Sequence, residues 1–246
     1  MQGMKILSMS KQSEMQKFKG FEVLSFDCYG TLIDWENGIL NALRPLFSSR
    51  EIGCPNEEIL ESYAEFEREL EQQEYIGYRE VLRRGVEKFG ERKGFEPKAN
   101  ELDCLADSLK GWNPFPDTIG VLKTLNKRFK LAIISNIDDD LLARTVDRLK
   151  TRFDWLITSQ QARVYKPSKR MFEFALEKMD ISPAKILHVA QSMYHDIIPA
   201  KSMGLSTAWI DRRRGKKGPG ATPLAYCRPD IKVPDLESLV SLIGMK

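Results

Sequence analysis

From about residue 118 to residue 210, short apolar runs alternate with longer amphipathic segments, and this alternation constrains the fold most tightly. Residues 131–134, 155–158, 186–189 and 206–210 read as buried strands, rich in β-branched and aromatic side chains. Residues 118–127, 139–150, 169–179 and 197–203 carry helical spacing, with Asp117 as a plausible N-cap for the first and Gly204 closing the last. Strands joined through helices pair in parallel, and a parallel sheet must be covered on both faces. The expected class is α/β, a Rossmann-like, doubly wound parallel sheet.

An earlier apolar run, 21–25, supplies one more strand and leads into Phe26-Asp27-Cys28-Tyr29-Gly30-Thr31-Leu32. An aspartate at a strand end, followed by a glycine that lets the chain turn sharply, sits where an open α/β sheet places its chemistry. Between this strand and the alternating region the pattern changes. From Trp35 to about Trp112 the chain is dense in Glu, Arg, Leu and Tyr at helical spacing, with Ile59, Tyr63, Phe66 and Leu70 on one stripe and Val81, Leu82, Val86 and Phe89 on another. Pro114 and Pro116 end it. The expected division is an N-terminal lead over 1–20, a core made of 21–34 and 113–246, and a helical insert over 35–112.

Composition narrows the function classes. A net charge of +3, spread along 246 residues, is too small to argue for nucleic acid. Cys28, Cys54, Cys104 and Cys227 show no CxxC spacing, and neither His188 nor His195 is paired with a cysteine at zinc spacing. Unpaired thiols suit a reducing compartment, the first twenty residues lack the long apolar core of a secretory signal, and no run is long enough to span a bilayer. The expectation is a cytoplasmic protein with no nucleic-acid or membrane partner.

Four strands of the expected sheet end near a polar residue: Asp27, then Ser135 with Asn136, then Lys166 in the loop after Thr158, then Asp196 after Val189. A carboxylate nucleophile gains from proximity and desolvation. Two carboxylates near each other would raise each other's pKa, and a lysine between them offsets that. Ser135 and Asn136 offer neutral donors for an anionic group. Four residues of these types in this order resemble the haloacid dehalogenase superfamily, over nearly the whole chain from Phe21 to about Ile243. The resemblance lies in an Asp nucleophile in DxxxT (Asp27, Thr31), then Ser, then Lys (within Tyr165-Lys166-Pro167), then an acidic residue. It implies that the helical insert is a cap and that Asp27, Lys166 and Asp196 are catalytic.

Two departures separate branches of that superfamily. Its phosphatases usually carry a second Asp two residues after the nucleophile, to protonate the leaving alcohol; here Tyr29 stands there. A phenol, with a reference pKa of about 10, is a poor acid for that task. Their last motif also commonly holds magnesium through an Asp where this chain has Gln191, a weaker ligand for a hard cation. A halide leaving group needs neither a proton nor magnesium. Asp-x-Tyr-Gly-Thr-Leu, Asn136 after Ser135 and Pro114-Phe115-Pro116-Asp117 resemble the L-2-haloacid dehalogenase branch. That resemblance implies attack by Asp27 on C2 of a small anionic 2-haloacid, with Tyr29, Thr31, Ser135 and Asn136 binding substrate and no cofactor. The alternatives are a magnesium-dependent phosphatase and a non-catalytic binding protein.

The match to the branch is incomplete. Gln191, Ser192 and Met193 replace its usual Ser-Ser-Asn, and Phe172 stands where an aromatic hydroxyl usually follows the lysine by six residues. The branch also uses a cap arginine to receive halide. Arg44, Arg50, Arg68 and Arg79 are the candidates, with Arg50 chosen by its distance from Asp27 along the chain.

Other features have plainer readings. Cys28 is a small core residue. His195 is either a proton relay to Asp196 or a hydrogen-bonded residue at a helix start. Asp138, Asp139 and Asp140 are helix N-terminal charges. The basic stretch 212–220 is a solvated flexible loop. Trp112 and Phe115 either pack insert on core or line a pocket. An exposed insert face would allow a homodimer.

Overall fold

The computed structural model describes residues 18–245; the expected N-terminal lead lies, for residues 1–17, outside the described residues. Six strands form one sheet: β1 (Val23–Phe26), β2 (Lys130–Ser135), β3 (Trp155–Thr158), β4 (Ile186–Ala190), β5 (Ser206–Ile210) and β6 (Ile231–Val233). Every pairing is parallel and the order is β3-β2-β1-β4-β5-β6. β1 is central and wholly buried, with Val23 opposite Lys130 on one side and Ile186 on the other. The chain winds outward from β1 in one direction and from β4 in the other. The crevice beyond their carboxyl ends is therefore the topological switch point, where such sheets bind ligands.

Two-residue periodicity splits the core. Leu24, Phe26, Leu131, Ile133, Leu187 and Val189 face one hydrophobic layer, whereas Val23, Ala132, Ile134 and Ile186 face another, with Met171, Phe172 and Ala175. Ser25 and His188 point with the second set, and both are fully buried. β6 and the last helix (Leu236–Ile243) were not legible in the sequence. β6 has three residues between Pro229 and Pro234, too few to display a period.

Between β1 and β2 the chain forms α1 (Trp35–Ser48), α2 (Asn56–Glu71), α3 (Tyr78–Lys93), α4 (Cys104–Ser108) and a 3₁₀ turn. Both expected stripes are buried, and Phe66 of α2 meets Phe89 of α3 edge-on at 5.0 Å. The remaining helices are α5 (Thr118–Leu125), α6 (Asp139–Leu149), α7 (Ser159–Ala162), α8 (Lys169–Met179), α9 (Ile198–Ser202) and α10 (Leu236–Ile243).

Two local expectations are corrected. Asp117 makes no side-chain cap bond to α5; its carboxylate instead takes Arg212 at 2.8 and 2.9 Å and the Leu236 N–H at 2.9 Å. Residues 212–220 are not a free loop, because Arg212 also stacks over Phe115 and donates to Thr31 O, and Arg213 pairs with Glu36. The arginines there complement buried carboxylates, a pairing that composition alone does not reveal.

The acidic run has an added role. Asp138 lies at the N-cap of α6, but its two oxygens accept from Tyr78 N and Arg79 N, both at 2.9 Å. α3 has no side-chain cap of its own, so a core aspartate satisfies two of its otherwise unpaired donors.

Candidate active site

The loops after β1, β2 and β4, with the loop before α8, converge on the crevice. Asp27, Tyr29, Ser135, Asn136, Lys166, Gln191 and Asp196 line one cavity. Lys166 is its centre. Its Nζ donates to Asp27 Oδ1 at 2.8 Å, to Asp196 Oδ1 at 2.7 Å and to Ile134 O at 3.0 Å. An ammonium has three protons, so these contacts use all of them. Lys166 and Asp196 are almost completely buried, and Asp27 nearly so.

Charges at such depth persist only when paired. Burial pushes Asp27 up; Lys166 counters it, Asp196 adds to the rise, and the carboxyl stays above its ordinary value. Burial also pushes on Asp196, but Lys166 and a hydrogen bond from His188 reverse it and leave this carboxyl below its ordinary value. Lys166 is pushed down by burial and carried above its ordinary value by the two aspartates. The core of the site is thus a carboxylate–ammonium–carboxylate row with one net negative charge.

Positioning comes from further residues. Thr31 Oγ1 donates to Asp27 Oδ2 at 2.7 Å and accepts from Gln191 N at 2.9 Å, tying the β1 loop to the β4 loop. Thr31 supports Asp27 from behind and does not line the cavity. Asn136 accepts the Lys166 N–H at 2.7 Å and donates to Lys166 O at 3.0 Å and to Glu71. It clamps the lysine's backbone, and its amide protons are committed. Tyr29 lines the cavity, but its hydroxyl is 2.7 Å from Thr145 Oγ1 and its ring packs against Trp112. Trp112 is therefore a packing residue, its Nε1 donating to Ser108 Oγ.

The sequence did not mark a second line of buried groups beneath the site. Ser25 Oγ lies 2.9 Å from His188 Nδ1, and His188 Nε2 lies 3.0 Å from Asp196 Oδ1. Phe172, without a hydroxyl, packs edge-on against His188 at 5.2 Å. Ser25 and His188 are register partners on β1 and β4, a pairing visible only once the strands are ordered.

The inserted helices close the cavity with Trp35, Glu67 and Tyr78. Glu67 Oε1 accepts from Tyr78 at 2.5 Å and from Tyr63 at 3.0 Å. Burial lifts Glu67 to about 7 against those two hydrogen bonds. Tyr63, Glu67 and Glu71 lie four residues apart on α2, and a carboxylate beside an apolar stripe was the available signal. His195 also lines the cavity; burial lowers it to about 4, so its ring is neutral near pH 7. Its Nδ1 lies 3.2 Å from Ser192 Oγ. His195 Nε2 and Asp196 Oδ2 are buried without a hydrogen-bond partner among the described residues.

Arg50 is not brought to the cavity. It pairs with Glu101 at 2.5 Å and lies over the Phe95 ring. Arg79 pairs with Asp140, Arg44 bonds Asn56, and neither these nor Arg68 lines the cavity. Magnesium fits these residues poorly. Gln191 supplies a neutral oxygen, itself 3.3 Å from Thr222 Oγ1, and both Asp27 oxygens already accept hydrogen bonds.

Comparison with known proteins follows the same lines. A family model for haloacid dehalogenase-like hydrolases matches residues 21–204. The chain is 27% identical to haloacetate dehalogenase H-2 of Moraxella sp. (strain B) over 239 residues, covering 92% of this chain and all of that protein. It is 29% identical to pyrimidine 5'-nucleotidase YjjG of Escherichia coli over 143 residues, 56% of this chain and 62% of that protein. The fold is shared with L-2-haloacid dehalogenase from Xanthobacter autotrophicus, with a TM-score of 0.76 and 24% identity over 91% of this chain and 98% of that one.

Proposed function

The chain belongs to the haloacid dehalogenase-like hydrolases, and on that premise we propose that it hydrolyses a carbon–halogen bond in a small molecule through an ester formed on Asp27. Asp27 displaces halide from carbon, making a C–O bond as the C–X bond breaks. Water then attacks the carbonyl carbon of the ester, releasing the alcohol, regenerating the carboxylate and freeing one proton. Asp196 Oδ2, which has no hydrogen-bond partner among the described residues, is the group suited to orient that water and take its proton. Lys166 faces the oxyanion that develops on Asp27.

The observation that carries this reading is the role of Tyr29. At the position where a phosphoryl-transfer site needs a leaving-group acid, burial raises this phenol well above its ordinary range and its hydroxyl meets Thr145. A halide departs as an anion and needs no such acid. The dehalogenases among the relatives support the reading, and the nucleotidase makes phosphate-ester hydrolysis the rival to test.

The test offers purified protein 2-chloropropionate, 2-chloropropionamide, fluoroacetate and a general phosphate ester, each with and without EDTA. Halide release that survives EDTA is expected. Phosphate release abolished by EDTA, with no halide from any substrate, would overturn the proposal.

A further inference from the structure

We infer that the cavity selects a substrate whose end remote from the reacting carbon is a neutral or cationic hydrogen-bond donor, such as a carboxamide or ammonium group, received by Glu67. This rests on the cavity being the site where Asp27 reacts, and it revises the anionic end group that the family resemblance implies.

The charged groups lining the cavity are Asp27, Glu67, Lys166 and Asp196, with a neutral His195. Lys166, the only Lys or Arg among the lining residues, has its three protons on Asp27, Asp196 and Ile134 O. Of the other donors, the Asn136 amide is committed to Glu71 and Lys166 O and the Tyr78 hydroxyl to Glu67, which leaves the neutral side-chain donors of Ser135, Gln191 and Trp35 without a hydrogen bond among the described residues. A substrate carboxylate entering here would lose its hydration beside a site that is already negative, and would meet neutral donors such as Ser135 but no free cation.

The same geometry welcomes a donor. Glu67 takes both tyrosines on Oε1, while Oε2 makes no hydrogen bond among the described residues. His195 Nε2, on a side chain nine-tenths buried, lines the same cavity with no hydrogen bond among the described residues, Glu71 Oε2 lying 4.0 Å away. A carboxamide N–H or an ammonium proton on Glu67 Oε2 would satisfy the first, and a second donor or a bridging water the other. Glu67 is a buried carboxylate lining the same cavity as Asp27, with its pKa raised by burial, and such a group at that place fits recognition better than packing.

The experiment compares (S)-2-chloropropionate with its near-isosteric amide. Wild-type protein is expected to show at least a tenfold higher kcat/KM for the amide at pH 8, and the KM of the acid is expected to rise from pH 6 to 8 as Glu67 ionises while that of the amide does not. Glu67→Gln should shrink the amide preference. In parallel, calorimetry on Asp27→Asn measures binding of lactamide and lactate, a readout independent of turnover. Preference for the acid, or a ratio untouched by pH and by Glu67→Gln, would overturn the inference and leave carbon–halogen hydrolysis standing. No turnover of either compound, with lactamide still bound over lactate, would overturn the hydrolysis and leave the selectivity standing. Neither turnover nor binding would overturn both.

Discussion

At the residue scale, the ionisation of Asp27 and Glu67 decides the chemistry. Asp27→Asn keeps the shape and the Thr31 contact but removes the nucleophile, so halide release should fall by at least about 10³-fold with the far-ultraviolet circular dichroism unchanged. Substantial residual activity would reject the assignment. Glu67 gives a pH signature in stability. Its carboxyl rises from 4.5 to about 7 in the folded chain, so the folded state holds this proton more tightly than the unfolded one. The associated stability is full below 4.5 and is lost as pH rises through about 7. Glu67→Gln does not titrate, and in urea unfolding it should gain on the wild type by up to about 3 kcal/mol between pH 5 and pH 8. A constant difference across that range would contradict the burial argument. Tyr29 and Gln191 were readable from the chain because each replaces an expected carboxylate within a motif. His188 was not, because its partners Ser25 and Asp196 come from a neighbouring strand and the turn beyond it.

At the element scale, the inserted helices are held to the rest of the chain by polar contacts that can be cut singly, among them Asp138 on α3, Asn136 on Glu71 and Arg213 on Glu36. Asp138 accepts the first two N–H groups of α3, so Asp138→Ala should cost about 1–2 kcal/mol and raise KM more than it lowers kcat, by loosening the wall that carries Tyr78. Equal stability and KM would show that α3 needs no such anchor. Arg212 is paired with Asp117 and braces the Thr31 carbonyl; their side chains are 9% and 10% exposed. Arg212→Met should therefore cost about 3–5 kcal/mol by leaving a carboxylate buried and unpaired, and the double variant Arg212→Met, Asp117→Leu should recover part of it. Periodicity had located α2, α3 and five strands, since long stripes and β-branched runs survive any tertiary context. It had missed the clasp formed by Arg212, because a basic, glycine-rich stretch reads as loop until its acidic partners, Asp117 and Glu36, are placed in space.

At the scale of the whole molecule, the two halves contribute different properties. The parallel sheet supplies the row of Asp27, Lys166 and Asp196 at its switch point, and the helices between β1 and β2 supply the wall that meets the rest of the substrate. The order of strand-end residues made the first half legible in the chain. The second half was not, because which arginine or glutamate of an amphipathic helix faces a cavity depends on how the helix is rotated against the sheet. Glu67, lining the same cavity as Asp27, is the outcome of that rotation, whereas Arg50 lies in the turn after α1 and pairs with Glu101. The account stands on an ester at Asp27, and the fate of solvent oxygen tests it. With enzyme in excess over a turned-over halogenated substrate in ¹⁸O-water, a single turnover should leave the label in the peptide containing Asp27 and unlabelled oxygen in the alcohol product. Label in the product of that first turnover, with Asp27 unlabelled, would mean that water attacks the substrate carbon directly and would contradict the account.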